Sequence, residues 1–162
     1  MKKMSYVTGA IFALGMMAFL PFGCGSGTSA CPGGPDCTCA GDASCTCNAN
    51  GNCGFDCAGE SCNFACEAGA TCSGSCGKSC DASCQAGAAC DLAVGDSSDF
   101  NCVDADCTLS VGAEADVHCS GGTCDVTCSG KCSVACTNGA TCRIKCAGDA
   151  DYKAIEGTGT CG

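Results

Sequence analysis

The sequence predicts an all-β fold: a single-chain parallel β-solenoid of roughly six to seven 18-residue coils, with two short strands per coil and disulfides at the corners. Three observations predict it. From Ser61 to Asp149 one unit recurs in register, as SCNFACEAGATCSGSCGK, SCDASCQAGAACDLAVGD, SSDFNCVDADCTLSVGA, EADVHCSGGTCDVTCSG and KCSVACTNGATCRIKCAGD. Two glycine series keep time with it, and between them every second residue is cysteine or apolar.

The chain divides into three parts: residues 1–23, a spacer over 24–36, and a repeat domain over 37–162. Lys2 and Lys3 open it, and Val7 to Leu20 is an apolar run too short for a membrane span, the pattern of an export signal. The run ends in Leu20, Pro21, Phe22, Gly23 and Cys24. This stretch resembles the lipobox of bacterial lipoproteins, in which a small residue precedes the cysteine that is acylated. Leu20 stands four residues before Cys24 rather than three, and Phe22 is bulkier than that pattern favours. The resemblance implies a bacterial cysteine-rich lipoprotein, lipidated at Cys24, exported and anchored at the cell envelope, in the outer membrane or at the cell surface. An ordinary signal peptide cut nearby is the alternative. Residues 25–36 are rich in Gly, Ser and Pro, which suits a flexible spacer.

The repeat domain begins where the glycine clock starts. Gly41, Gly59, Gly77, Gly95, Gly112, Gly130 and Gly148 are separated by 18, 18, 18, 17, 18 and 18 residues. A second series, Gly51, Gly69, Gly87, Ala105, Gly122, Gly139 and Gly157, runs between them. Each coil therefore has two corners, where the backbone needs positive φ or a close approach. Between corners, Cys62, Phe64 and Cys66 or Cys124, Val126 and Cys128 alternate with polar residues, the period of a half-buried strand. Middle residues facing each other across the interior are expected to complement in size: Phe64 with Gly74, Ala82 with Leu92, Val117 with Val126, Val134 with Ile144. Phe100 with Leu109 is the bulky exception.

Cysteine accounts for 25 of the 162 residues, well past the roughly 8–10% that marks a disulfide scaffold in a short secreted chain. Past residue 24 there are three Phe, one Tyr and no Trp, so covalent staples must replace a large apolar core. The repeat register narrows the pairing. The last inward position of one coil and the first of the next carry cysteine together at Cys57 and Cys62, Cys76 and Cys80, and Cys128 and Cys132. They lose it together at Val94 and Ser98, and at Val111 and Ala115, as bonded partners would. The same rule at the other corner pairs Cys47 with Cys53, Cys66 with Cys72, Cys84 with Cys90, Cys102 with Cys107, Cys119 with Cys124 and Cys136 with Cys142. Extended backwards it pairs Cys31 with Cys37 and Cys39 with Cys45. Cys146 and Cys161 remain for each other, and Cys24 is left for the lipid.

Function is less legible than architecture. Without residues 1–23, five basic residues stand against seventeen acidic ones, which disfavours nucleic acid and suits a cation or a basic protein as partner. The sequence lacks C-x-x-C, which argues against thiolate metal storage and thioredoxin-like chemistry. His118 is the single histidine, on the outward side of a strand, with no nucleophile elbow or phosphate loop anywhere. The chain is thus expected to be non-enzymatic, a structural or interaction protein without a cofactor. One outward feature points further: Asp81, Asp99 and Asp116 take the same place in three successive coils, with Ser133 and Asp151 expected to follow. Such a column offers oxygen ligands for calcium. The coil is similar in size to the calcium-binding β-roll, although its Gly-Gly-x-Gly-x-Asp corner is absent. The alternative is a solvated acidic face that keeps an exposed sheet from aggregating.

Overall fold

A computed structural model describes the chain over 44–57 and 59–162, together with the backbone of one earlier strand. The signal segment, Cys24, Cys37 and Cys39 lie outside the described residues. Among the described residues the strands follow one another without helices: β1 (Thr28–Cys31), β2 (Ser44–Cys47), β3 (Asn52–Cys57), β4 (Asn63–Cys66) and β5 (Thr71–Cys76). The middle of the stack holds β6 (Asp81–Cys84), β7 (Ala89–Val94), β8 (Asp99–Val103), β9 (Asp106–Val111) and β10 (Ala115–Ser120). It closes with β11 (Thr123–Cys128), β12 (Cys132–Thr137), β13 (Thr141–Lys145), β14 (Lys153–Ile155) and β15 (Gly157–Cys161).

Alternate strands fall into two sheets, as a two-sided coil requires. One runs β1-β2-β4-β6-β8-β10-β12-β15 and the other β14-β13-β11-β9-β7-β5-β3. From β1 to β13 every pairing is parallel. The fold is a parallel β-solenoid of about six turns at the 18-residue spacing. Its first pairing, β1 with β2, begins inside the stretch whose composition reads as spacer.

The interior is two facing columns. Phe64, Ala82, Phe100, Val117 and Val134 are in register on one sheet. Phe55, Gly74, Leu92, Leu109, Val126 and Ile144 are in register on the other. All but Gly74 are buried. The expected facing of Phe64 with Gly74 is incomplete, because the Phe64 ring stacks on Phe55, with centroids 4.6 Å apart and planes at 22°. Successive coils rise, so a strand faces the one before it as well as the one after. Gly74 makes the stack possible: a Cβ there would lie 1.8 Å from the Phe55 carbonyl oxygen. The bulky pair Phe100 and Leu109 is accommodated at 0% and 1% exposure.

The corners use their glycines in two ways. At one corner the positive-φ residues are Ser61, Ser79, Ser97 and Glu114, two positions beyond the glycine series. Ser79 N donates to Asp96 O at 2.9 Å and Ser97 N to Ala113 O at 2.8 Å, so the corner is bonded coil to coil. Gly95, Gly112 and Gly130 there serve close approach instead; a Cβ on Gly95 would lie 1.9 Å from Gly77 O, whereas Gly148 is itself at positive φ. At the other corner the left-handed column is Asn50, Gly69, Gly87, Asp104, Gly121 and Asn138. Of the expected series Gly69, Gly87, Gly122 and Gly139 do take positive φ, while at Gly51 and Ala105 the residue before, Asn50 or Asp104, takes it instead.

The last coil is not another parallel one. β15 runs antiparallel to β12, and β14 antiparallel to β13. The tail folds back over both sheets as a cap, and Cys161 closes it onto Cys146. Gly157, expected as a further corner of the stack, starts the reversed strand β15.

Candidate functional site: sulfur walls and polar faces

Inward cysteines at strand ends meet at the corners and form two walls of disulfides. The first holds Cys47–Cys53, Cys66–Cys72, Cys84–Cys90, Cys102–Cys107, Cys119–Cys124 and Cys136–Cys142. The second holds Cys57–Cys62, Cys76–Cys80 and Cys128–Cys132. With the cap bond, Cα separations run from 5.5 Å to 6.7 Å. Packed sheets normally stand about 10 Å apart, so each coil is pinched at its corners. Cys45 is also oxidised; the expected pairs Cys39–Cys45 and Cys31–Cys37 involve residues outside the described set.

The second wall is interrupted where Val94, Ser98, Val111 and Ala115 stand in for cysteine, all buried. The Cys80 amide donates to the Ser98 hydroxyl at 3.1 Å, a bond that sequence patterning does not show. Sulfurs of adjacent rungs also approach closely. Among the described residues, the groups of three potential metal ligands within 4.8 Å of one another are all cysteines, such as Cys84, Cys90 and Cys107. Every sulfur in them is in a disulfide, and a disulfide sulfur is not a thiolate ligand.

The outward faces carry polar columns. Asp81, Asp99 and Asp116 are in register and exposed. The next members are Ser133 and Thr160, not Asp151, because the reversed β15 supplies the neighbouring strand. Neighbours in such a column stand about 4.8 Å apart, so the end carboxylates are separated by about twice that distance. The three form a row and do not converge on one ion, which would need ligand oxygens at about 2.3–2.6 Å. Beside the row is a shallow depression of about 590 Å³, lined by Ser44, Asn63, Asp81, Asp99, Asn101 and His118. His118 lies between Asn101 and Ala135 in its own column, and its imidazole forms no hydrogen bond or ion pair with a described residue.

Basic residues gather toward the cap and are engaged there. Arg143 holds Asp125 through both its Nε, at 2.6 Å from Oδ1, and its Nη2 on Oδ2. The Asp125 carboxylate, as hydrogen-bond acceptor and then as charge, raises the Arg143 pKa above its usual value. Arg143 and Lys145 lie 5.3 Å and 5.9 Å from the Tyr152 ring, and the Tyr152 hydroxyl is 2.8 Å from Thr127 Oγ1. Lys153 donates to both oxygens of Asp149, which also accepts from the Cys146 amide. The Lys153 hydrogen bond, followed by the Cys146 amide, lowers the Asp149 pKa from its ordinary value. Tyr152 is the one tyrosine past residue 24, and nothing in its local pattern marks it as a platform.

No protein-family model, no curated protein and no solved structure matches this chain.

Proposed function

We propose that the chain is a non-enzymatic, lipid-anchored, disulfide-stapled structural or interaction protein of the bacterial cell envelope. The observation that carries this reading is the pair of disulfide walls. Bridges at every corner of the first wall and three of the second are of the kind that form and persist in oxidising compartments outside the cytosol. They lock a narrow rod whose interior holds few large side chains. The lipobox-like segment ending at Cys24 supplies the tether, and the acidic surface suits a basic protein or cations as partner. Intact-mass and peptide analysis of the chain expressed with its own leader tests this. A mature N-terminus at acylated Cys24 in the membrane fraction, with survival to trypsin that collapses on adding reductant, is expected. An unacylated cytosolic chain rich in free thiols would overturn it.

The register of Asp81, Asp99 and Asp116 favours a second reading, weak divalent-cation binding along the row. Calorimetry is then expected to give calcium heat that Asp99→Asn reduces. A flat titration, with melting unchanged by chelator, would remove this reading.

A further inference from the structure

The first disulfide wall is connected more closely than its bonds alone require. The Cys90 sulfur lies within 4.8 Å of both sulfurs of the Cys66–Cys72 bond. Cys107 stands in the same relation to Cys84–Cys90, and Cys124 to Cys102–Cys107. Because Cys90 and Cys107 each belong to two groups, these contacts form one unbroken file through four rungs. All of its members are buried. In each group the sulfur from the eight-stranded sheet has two neighbours on the other sheet, its bonded partner and the cysteine one coil further on.

We propose that this wall is an intramolecular thiol–disulfide relay, opened by a low-molecular-weight thiol and able to carry a thiolate from one coil to another. Local opening of the coil admits an external thiolate to the buried Cys72; a mixed disulfide forms there, the Cys66–Cys72 bond breaks and the electron pair leaves on Cys66. The Cys66 thiolate attacks Cys90; the Cys66–Cys90 bond forms, Cys84–Cys90 breaks and Cys84 leaves as thiolate. Cys84 then attacks Cys107 and releases Cys102, and Cys102 attacks Cys124 and releases Cys119. Each internal step makes one S–S bond, breaks one, consumes one thiolate and returns one. No oxidant or reductant is consumed between rungs. Exchange rates depend on which sulfur a thiolate can reach and on how like the attacking and leaving thiols are. Here the reachable sulfur is the next rung, and successive rungs lie in similar buried surroundings.

The second wall is the comparison within the same molecule. Cys76 lies within 4.8 Å of the Cys57–Cys62 bond, but in the following two coils the wall holds Val94, Ser98, Val111 and Ala115. A thiolate there has one rung to visit.

The test uses the folded, oxidised chain with Cys72→Ser, which leaves a thiol on Cys66, and with Cys80→Ser, which leaves one on Cys76. Each is held near the ordinary thiol pKa of about 8.5, trapped with N-ethylmaleimide, and mapped without reduction. In the Cys72→Ser chain the label is expected to be shared among Cys66, Cys84, Cys102 and Cys119, with Cys66–Cys90, Cys84–Cys107 and Cys102–Cys124 peptides. In the Cys80→Ser chain it is expected on Cys76, Cys57 and Cys62 alone. Label confined to Cys66 in a Cys72→Ser chain that keeps its β-sheet circular dichroism overturns the relay. Should that variant not fold, the native chain with substoichiometric glutathione gives the same decision. Glutathione and the maleimide label on different rungs support the relay, and both on one rung overturn it.

Discussion

The Ser98 hydroxyl, buried at a position where other coils carry a bonded cysteine, accepts a hydrogen bond from the Cys80 amide at 3.1 Å. A coil that has lost its disulfide thus keeps a tie to its neighbour. Replacing Ser98 with alanine leaves a buried amide without an acceptor, at a cost of about 1–3 kcal/mol. The expected result is a lower denaturant midpoint for the oxidised Ser98→Ala chain; an unshifted midpoint would mean that water satisfies the amide.

The gap in the second wall is a place where a rung can be restored. Val94 is in register with Cys76, whose bond to Cys80 spans 6.4 Å between Cα atoms. The double substitution Val94→Cys with Ser98→Cys should close spontaneously in air. So short a loop contributes about 2 kcal/mol, against about 1–3 kcal/mol for the lost Ser98 acceptor. The oxidised variant should therefore melt near the native chain, and the same variant under reductant should melt well below it. Two alkylatable thiols after oxidation would show that the corner geometry differs there.

Packing at the Phe55–Phe64 stack gives the largest expected single-residue effect. Phe64→Ala removes one ring from a filled interior and should cost about 3–5 kcal/mol. Gly74→Ala should also destabilise, because its Cβ meets the Phe55 carbonyl backbone and no flexible side chain can yield. Equilibrium unfolding with the disulfides intact reads both. A Gly74→Ala chain as stable as the native one would show that the strand shifts freely.

Low pH should loosen the cap before the coils. The Asp149 pKa is lowered by Lys153 and by the Cys146 amide. A group depressed in the folded state stabilises it above the unfolded value, near 3.9, and loses that contribution as pH falls through the lower folded value. Hydrogen exchange in β14 and β15 should therefore quicken below that range while β9 and β11 stay protected. Asp149→Asn should remove the pH dependence of the cap, and a cap equally acid-sensitive in that variant would rule the mechanism out.

The sequence made the coils legible because each carries its own evidence. Alternation at Cys124, Val126 and Cys128 marks an inward face, and joint loss at Val94 with Ser98 marks a shared corner. The cap was not legible for the same reason: Gly157, Thr158, Gly159 and Thr160 carry no apolar alternation, so only tertiary pairing with β12 makes them a strand. Asp151 was misplaced with it. At the left-handed corner Gly69, Gly87, Gly122 and Gly139 adopt positive φ as their spacing implies, but Asn50, Asp104 and Asn138 adopt it too, so glycine alone was an incomplete marker. On the polar faces, the Asp81, Asp99 and Asp116 row followed directly from register. The grip of Tyr152 on Arg143 and Thr127 joins residues brought together only by the reversal.

The reversed tail also bears on how such a chain could change length by duplication. Parallel strands space their hydrogen bonds evenly, whereas β14 and β15 bring the alternating narrow and wide pairs of antiparallel strands. A duplicated unit placed after Cys161 would meet edges of the wrong rhythm. One inserted among the coils before Lys145 would find the same parallel neighbour above and below, so shorter and longer versions of this rod should differ there and keep one ending.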